Sequence, residues 1–323
     1  MGKMYRIEKG LPLLLITAIL ILCVGFFVVS CGNKPQQKTV NTNKDAYALD
    51  LSVCPTNNCF AFPEGSVNTP VPSISGRALT IEAWIKNKVT STSGGIFGRY
   101  DSFGAALYIK DGQPKFGIGR YGTSTVIEPS GCTYKAPTST ECVLNSNVTP
   151  AANAWTHVAG VLVNEAHSHT VSASCTNAVM LETPHMDIYI NGVFADCATT
   201  GSQFAGNPGD NKMSIGVAKT AGELDGLGAS KFNVVIDEIR FWGYARTPSQ
   251  INECKGTELG VGGVCDRGDS GLIGYYRLNE GSGHDVSDFS KNGFSGALED
   301  TNADHFDSGW VLRTDSLTPT RAD

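Results

Sequence analysis

The segment at residues 232–252, FNVVIDEIRFWGYARTPSQIN, constrains the fold more than any other part of the chain. Its first half is rich in β-branched and aromatic residues, which are typical of a strand. Its second half carries helix-start signals, with Thr247 as N-cap, Pro248 as the first helical residue and Gln250 as the partner in a capping box. The segment therefore predicts a strand, a turn and a short helix in direct succession.

Alternation along this strand places an acidic residue on each face, because alternate side chains of a strand share a face. One face is expected to carry Val235, Asp237, Ile239 and Phe241. The other is expected to carry Val234, Ile236, Glu238, Arg240 and Trp242. We expect Glu238 and Arg240 to form a solvent-exposed ion pair, and Asp237 to face inward, where it must be hydrogen-bonded, paired or bound to a cation.

Short alternating segments recur through the rest of the chain. Asp111-Gly112 and Asn191-Gly192 each predict a hairpin, since these dipeptides favour tight turns. The 37 glycines and 14 prolines and the absence of a long amphipathic pattern predict an antiparallel two-sheet sandwich. Further strands are expected at residues 47–53, 79–85, 155–163, 169–175, 212–217, 272–278 and 309–312.

Several motifs resemble those of laminin-G-like domains, which belong to the concanavalin A-like superfamily. The strand and helical turn described above resemble the closing strand and turn of these domains. The other matching motifs are LTIEAWIK at 79–86, WTHVAGVLV at 155–163, IYINGVF at 188–194 and YYRLNEGSG at 275–283. The resemblance implies an all-β, antiparallel two-sheet jelly-roll sandwich, a fold that hosts many functions.

The segment that begins at Leu272 resembles pieces that open such domains as well as pieces that follow them. A second, truncated domain is therefore an alternative, but about forty residues rarely bury a self-sufficient core. We expect this segment to complete the one sandwich. The expected organisation is a signal peptide at 1–30, a polar tether at 31–46, a laminin-G-like domain at 47–313 and a tail at 314–323.

The amino-terminal sequence predicts where in the cell the protein is located. Basic residues precede an apolar run at residues 11–29, which ends in Ser30 and Cys31 and matches a lipobox before an acylated cysteine. An uncleaved signal anchor is the alternative, because about 20 apolar residues span a bilayer. Lipidation of Cys31 would anchor the chain in the cell envelope, at the outer membrane or cell surface of a bacterium. Gly32, and not Asp, directly follows Cys31, so the signal for retention at the inner membrane is absent.

Ten cysteines fit the same exported location. Cys23 lies in the signal and Cys31 takes the lipid, which leaves an even number for disulfides. Zinc is the competing interpretation, but the pairs lack zinc-knuckle spacing and the six histidines are scattered. Pairing of sequence neighbours predicts the disulfides Cys54 with Cys59, Cys132 with Cys142, Cys175 with Cys197, and Cys254 with Cys265.

Calcium is the expected inorganic partner. Residues 288–299 place Asp288, Ser290, Asn292, Gly293 and Glu299 at calcium-loop positions. The same residues also make an ordinary turn, and the flanks are not helical. The resemblance makes Asp237 a separate candidate near a sheet edge, which Asp101, Asp196, Asp210 and Asn211 could join, although solvation of polar loops is the favoured interpretation of these four residues.

Recognition of a ligand is the function expected from these features. Trp84 shares a strand face with Thr80 and Glu82, so its ring is a candidate for stacking on a sugar, although cover by a neighbouring loop is the favoured interpretation. The polar insertions at 123–153 and 201–210 are the expected contact surface, because functional variation accumulates on loops. With a net charge of -6, the chain lacks a basic footprint for nucleic acid.

The sequence therefore predicts a membrane-anchored recognition or adhesion module that binds a glycan or an extracellular protein, with calcium as a candidate cofactor. A polysaccharide-active hydrolase or lyase of the same superfamily is one alternative, and a non-binding structural envelope lipoprotein is another. Adjacent Asp237 and Glu238 are expected on opposite faces, which does not suit the paired carboxylates of a glycosidase. No nucleophile elbow is present either, and no catalytic residue is assigned.

Overall fold

A computed structural model gives the structure of the protein. It describes residues 47–53, 60–63, 78–98, 105–121, 132–135, 139–163, 185–199, 213–216, 232–299 and 309–312. All of them belong to one compact unit, Lys44–Asp323. The expected signal peptide and most of the tether therefore lie outside the described residues.

Strands dominate the described part of the chain. In order they are β1 (Tyr47–Asp50), β2 (Phe60–Pro63), β3 (Leu79–Asn87), β4 (Gly94–Gly98), β5 (Ala105–Lys110), β6 (Gln113–Tyr121), β7 (Cys132–Lys135), β8 (Ser139–Asn145), β9 (Trp155–Val163), β10 (His185–Ile190), β11 (Val193–Thr199), β12 (Ser214–Ile215), β13 (Val234–Trp242), β14 (Leu272–Tyr276), β15 (Asp285–Val286), β16 (Gly296–Glu299) and β17 (Trp310–Leu312). Helix α1 spans Pro248–Cys254.

The described strands form two antiparallel sheets. Sheet A has the order β11-β10-β9-β3-β13-β1-β17, with β14 also paired to β13. Sheet B has the order β15-β16-β2-β12-β4-β5-β6-β8-β7. The late strands β14 and β17 pair in sheet A, whereas β15 and β16 pair in sheet B, so the carboxyl-terminal segment contributes to both layers.

The apolar core lies between the two sheets. Gly160 on β9 faces Phe116 on β6, and a Cβ at position 160 would collide with the Phe116 ring, so the layers meet closely there. The alternation predicted for β3 is found. Its core-facing residues are Leu79, Ile81, Ala83 and Ile85. The all-β, antiparallel two-sheet architecture predicted from the sequence is confirmed.

The outer face of sheet A, which points away from sheet B, is also covered. Ile251 of α1 packs with Val161 and Tyr189 on this face, and Leu259, beyond the helix, packs with Trp242. Strands β3, β9 and β13 consequently carry buried residues on both faces. A structural layer of helix and loop therefore separates the centre of sheet A from solvent.

Local signals in the sequence match the structure closely. Thr247 accepts a hydrogen bond from the Gln250 backbone at 3.2 Å, and the Gln250 side chain accepts one from the Thr247 backbone at 2.8 Å, so the capping box is formed. Asp111 and Asn191 have φ angles of 51° and 54°, and a glycine with positive φ follows each. Both predicted hairpin turns are thus present.

Several strand boundaries differ from those expected. Leu51–Val53 forms a 3-10 turn after β1, in which Asp50 accepts a hydrogen bond from the Ser52 backbone at 2.9 Å. This side-chain bond offers the backbone an alternative to the sheet ladder, so the strand ends early. The strand expected at residues 169–175 lies outside the described residues.

Candidate functional site

Strand β13 contains a β-bulge that simple alternation does not predict. Its pairing with β3 shifts between Asp237, opposite Trp84, and Arg240, opposite Glu82. Glu238 has a φ of 51°, in the left-handed region that few non-glycine residues adopt. The extra residue reverses the side-chain alternation in the rest of the strand.

The bulge overturns the predicted faces of β13. Asp237 lies beside Val235 on the outer face and not inward, although it is 0% exposed and accepts a hydrogen bond from the Glu238 backbone at 3.0 Å. The inward position predicted for Asp237 is therefore wrong, and so is its predicted placement on the face opposite Glu238, because both residues of the bulge lie on the outer face. The core-facing residues lie on both sides of the bulge: Val234, Ile236, Ile239 and Phe241.

Glu82 is the centre of a buried polar network on this outer face. It is 0% exposed, and its Oε1 accepts hydrogen bonds from Trp242 Nε1 at 2.9 Å and from Arg246 Nη1 at 2.8 Å. Burial by itself raises the pKa of Glu82. The interaction with His157 and the charges of Arg246 and Arg240 outweigh burial, so the pKa of Glu82 lies well below its usual value. Glu82 is therefore ionised at neutral pH.

His157 borders the same carboxylate. Its Nε2 lies 3.5 Å from Glu82 Oε2, and its ring meets the edge of Trp84 at a centroid distance of 5.5 Å. Burial lowers the pKa of His157 by more than Glu82 raises it. The imidazole is thus neutral at pH 7, and the residue is 1% exposed.

Glu238 and Arg240 form the predicted ion pair, with Arg240 Nη2 donating to Glu238 Oε2 at 3.0 Å. Their predicted exposure is wrong, because Glu238 is 2% and Arg240 is 1% exposed. The Tyr275 hydroxyl also donates to Glu238 Oε2, at 2.7 Å. Burial raises the pKa of Glu238 despite these partners, and burial also raises the pKa of Tyr275, which keeps its proton for this bond.

The loop beyond α1 buries this pair. Arg240 donates to the carbonyl oxygens of Cys254 at 2.8 Å and of Thr257 at 2.6 Å. The backbone N–H of Leu259 donates to the Tyr275 hydroxyl at 3.2 Å. Sequence alternation alone could not show these contacts, because they join β13 and β14 to a loop of irregular structure.

A disulfide closes the loop. As the sequence predicts, Cys254 is bonded to Cys265, with an S–S distance of 2.03 Å. Cys197 is also disulfide-bonded, although its predicted partner Cys175 lies outside the described residues. The register of β7 and β8 places Cys132 opposite Cys142. The predicted positions Cys31, Cys54 and Cys59 lie outside the described residues.

An open groove lies beside the disulfide-bonded loop. Its volume is approximately 700 Å³, within the range of about 300–1,000 Å³ that is usual for ligand pockets. Arg277 lies in it, donates to Glu258 Oε1 at 2.5 Å and stacks 5.1 Å from the Phe289 ring centroid. The lining residues include Glu253, Glu258, Val261, Val264, Arg267 and Arg277.

Trp84 does not offer an open stacking surface. Its side of β3 is the one predicted, but the residue is 7% exposed and packs with Trp155 and Val235. The indole N–H donates to the Lys255 carbonyl at 2.7 Å. The covered position, one of the two weighed from the sequence, is the one in the structure.

The Asp288 carboxylate is occupied within an ordinary turn. Its Oδ1 accepts from the Tyr275 and Ser290 backbone N–H groups, each at 2.8 Å. Its Oδ2 accepts from the Phe294 backbone at 2.7 Å and the Ser290 hydroxyl at 2.8 Å. Asn292 uses its amide to donate to the Leu272 and Ile273 carbonyls. These bonds fasten the turn to β14.

The other candidate cation ligands are not brought together in the described structure. Asp196 accepts a hydrogen bond from Asn147 at 3.0 Å, and Glu299 lies on β16. Asp101, Asp210 and Asn211 lie outside the described residues, as does the insertion at 201–210. Among described residues, no cluster of three or more His, Cys, Asp or Glu side chains is placed to hold a metal ion.

The outer-face carboxylates have structural partners. A retaining glycosidase needs two carboxyl groups that reach a sugar from about 5 Å apart. Glu82 and Glu238 are instead buried beneath α1 and its loop and bonded to Trp242, Arg246, Arg240 and Tyr275. Sequence reasoning missed the role of Glu82, although an acidic residue in the apolar run LTIEAWIK signals a paired buried charge.

No helix within the described ranges is both long enough and apolar enough to cross a bilayer.

The fold and the covered outer face together define a concanavalin A-like sandwich. A laminin-G-type family model, described as the concanavalin A-like lectin/glucanases superfamily, matches residues 63–252. This match covers more than half of the chain. The chain therefore belongs to this superfamily. The resemblance inferred from the five sequence motifs is confirmed.

Solved structures share this fold at low identity. One is a protein from Bacteroides ovatus ATCC 8483 provisionally assigned to carbohydrate binding, with a TM-score of 0.51 and 17% identity over 85% of this chain. This chain spans 62% of the length of that structure. A search of curated proteins found no match.

Two further similar structures have lower TM-scores. The heptameric SAP-like pentraxin from Limulus polyphemus has a TM-score of 0.37 and 15% identity, covering 65% of this chain and 82% of that one. Domains LG4-5 of the mouse laminin alpha1 chain have a TM-score of 0.37 and 10% identity, covering 63% of this chain and 44% of that one.

Proposed function

We propose that the protein is an exported, lipid-anchored recognition or adhesion module that binds a glycan or an extracellular protein. One observation carries the proposal. The buried ionisable groups of the outer face are used to hold α1 and its loop, while an open groove lies beside that disulfide-bonded loop. This arrangement suits a rigid surface that binds a partner without transforming it.

Membership of a superfamily of lectins and glucanases supports binding to carbohydrate. The Bacteroides ovatus protein, provisionally assigned to carbohydrate binding, supports the same class of ligand. The lipobox before Cys31 and the bonded cysteines support an exported, anchored chain, because disulfides persist in oxidising compartments. Calcium assistance is part of the proposal and is tested with it.

The test is binding of the full chain, purified in detergent, to a glycan array and to a panel of extracellular matrix proteins. We expect saturable binding to at least one glycan or protein. The same chain, reduced and unfolded in urea, is the control and should lose this binding. A parallel series with EDTA, restored by added calcium, shows whether the cation contributes.

Two outcomes would contradict the proposal. Absence of binding to every glycan and protein would favour a structural envelope protein. Release of shortened or unsaturated products from a bound polysaccharide would favour a hydrolase or a lyase. Mass spectrometry of the ligand after incubation distinguishes simple binding from either reaction.

A further inference from the structure

The loop beside the groove is held by several bonds within itself. Besides the Cys254–Cys265 disulfide, the Gly260 N–H donates to the Cys265 carbonyl at 3.0 Å, and the Arg267 N–H donates to the Gly260 carbonyl at 3.0 Å. The Asp266 carboxylate accepts from the Gly268 N–H at 2.7 Å. A wall fixed in this way loses little conformational entropy when it binds a ligand.

The charged groups around the groove are balanced. Glu253 and Glu258 line it together with Arg267 and Arg277, two groups of each sign. Arg277 and Glu258 are already paired at 2.5 Å. An anionic ligand would meet the two carboxylates, and a cationic ligand would meet the two guanidinium groups. The charge balance therefore favours a neutral ligand over an anionic or a cationic one.

The Arg277–Glu258 ion pair also favours a ligand that carries hydroxyl groups. A hydroxyl both donates and accepts at one oxygen, whereas a peptide amide separates its donor from its acceptor. Neighbouring hydroxyls on a ring could accept from the Arg277 guanidinium and donate to the Glu258 carboxylate, which lie side by side. Sugars present such neighbouring hydroxyls repeatedly.

The rim of the groove supplies the apolar contact that a sugar ring also needs. Val261 is 85% exposed and Val264 is 43% exposed, both within the disulfide-bonded loop. Both line the same groove as Arg277 and Glu258. Their methyl groups offer a surface for the C–H faces of a pyranose ring, so polar and apolar parts of one ligand meet matching parts of the groove.

We infer that this groove, between the Cys254–Cys265 loop and Arg277, is a binding site for a neutral carbohydrate. The inference rests on the proposed function and adds to it a location and a ligand class. Val261 and Val264 contact the ring, Arg277 and Glu258 bond its hydroxyls, and Arg267 lies at the same groove.

The experiment titrates the full chain in detergent with neutral oligosaccharides of glucose, galactose, mannose and N-acetylglucosamine, and with oligogalacturonate as the charged probe. The variant Val261→Ser/Val264→Ser is compared with Val89→Ser, a valine of 40% exposure outside the groove lining. Arg267→Gln is compared with Lys291→Gln, also exposed and outside the groove lining.

We expect a neutral oligosaccharide to bind the wild type. The double valine variant should bind about tenfold more weakly, because it removes the apolar surface that contacts the ring, and the Val89→Ser and Lys291→Gln controls should stay within about twofold. Circular dichroism of each variant checks that the fold is kept.

The outcomes separate this inference from the proposed function. Neutral-glycan binding that survives the groove substitutions would overturn the location, and binding of oligogalacturonate alone would overturn the ligand class. Both results leave the recognition function intact. Absence of binding to every sugar, together with binding to a matrix protein, would overturn the carbohydrate inference alone. Absence of any ligand would overturn the proposed function as well.

Discussion

The indole N–H of Trp242 donates a hydrogen bond of 2.9 Å to Oε1 of Glu82, a residue 160 positions earlier in the chain. Arg246 donates to the same oxygen at 2.8 Å and stacks 4.2 Å above the Trp242 ring. Thr80 accepts from the Arg246 backbone at 2.9 Å and so fixes the segment that carries this arginine. One buried carboxylate therefore joins strands β3 and β13 to the segment that precedes α1.

Substitution of Glu82 should destabilise the protein strongly. Glu82→Gln removes the charge that compensates buried Arg246 and Arg240, and breaking a buried pair from one side costs about 3–5 kcal/mol. Urea unfolding followed by tryptophan fluorescence measures the change. Glu253→Gln, an exposed position on α1, is the control and should change the free energy of unfolding by less than about 0.5 kcal/mol. A similar small change for Glu82→Gln would show that the network is not structural.

His157 should make the stability depend on pH. Its folded-state pKa is lowered from 6.5, so the unfolded chain takes up the proton first as the pH falls. This contribution is fully present above pH 6.5 and is lost as the pH falls from 6.5 toward the folded-state pKa. The free energy of unfolding of the wild type should therefore fall between pH 7.5 and pH 5.5, by at most about 1.4 kcal/mol per pH unit from this group.

The comparison variant is His157→Gln, which should show a shallower pH dependence in urea unfolding over the same range. Glu238, whose pKa is raised, contributes with the opposite sign in acid, but it is present in both proteins and cancels in the difference. Between pH 7.5 and 8.5 the two proteins should have equal slopes. Equal slopes below pH 6.5 would contradict a buried neutral histidine.

Removal of the Cys254–Cys265 disulfide should loosen the cover of the outer face. We expect Cys254→Ala/Cys265→Ala to lose about 2–3 kcal/mol of stability, because a loop of this length gains that much from closure. Limited proteolysis should cut the opened loop faster, since Arg240 and Tyr275 hold it only through backbone groups. Gly256→Ala is the control, because an added methyl group there meets no atom within 4 Å. Unchanged cleavage in the double variant would contradict this role.

The bulge in β13 should be essential for folding. Deletion of Glu238 would restore plain alternation and turn Ile239 and Phe241 away from the core. Burial of each of these side chains contributes about 1.5–3 kcal/mol, and the network around Glu238 is lost as well. We expect no cooperative unfolding transition by circular dichroism. Deletion of Gly263, in the exposed part of the disulfide-bonded loop, should leave a cooperative transition; if the Glu238 deletion behaves in the same way, the bulge is dispensable.

Local rules predicted much of this fold from the sequence. The capping box at Thr247 and the turns at Asp111 and Asn191 depend on neighbouring residues alone, so they were predicted correctly. The two faces of β3 were predicted correctly from alternation, because the residues from Leu79 to Ile85 alternate without interruption. These elements need no knowledge of the tertiary structure.

The outer-face network could not be predicted in the same way. A left-handed φ at Glu238 has no sequence signal, since glycine or asparagine usually takes such a position. The contacts of Glu82 with Trp242 and Arg246 depend on the register between β3 and β13, which the bulge alters. Exposure of the Glu238–Arg240 pair was mispredicted because the loop that covers it has no periodic pattern.

Lipidation is a prediction from the sequence alone. Processing at the lipobox should place a thioether-linked diacylglycerol on Cys31 of the mature chain. Metabolic labelling with palmitate should mark the wild type, and Cys31→Ser should lose the label. Cys23→Ser, within the signal segment, is the control and should keep it. A labelled Cys31→Ser chain, or an unlabelled wild type, would contradict the anchor.

The proposed function is binding without chemistry, by a sandwich whose buried carboxylates are structural. Isothermal titration of the full chain with the glycan or protein selected on the array, followed by mass spectrometry of the recovered ligand, tests this directly. We expect a saturable binding heat and a ligand of unchanged mass. A ligand recovered in shortened form, or no heat with any partner, would contradict it.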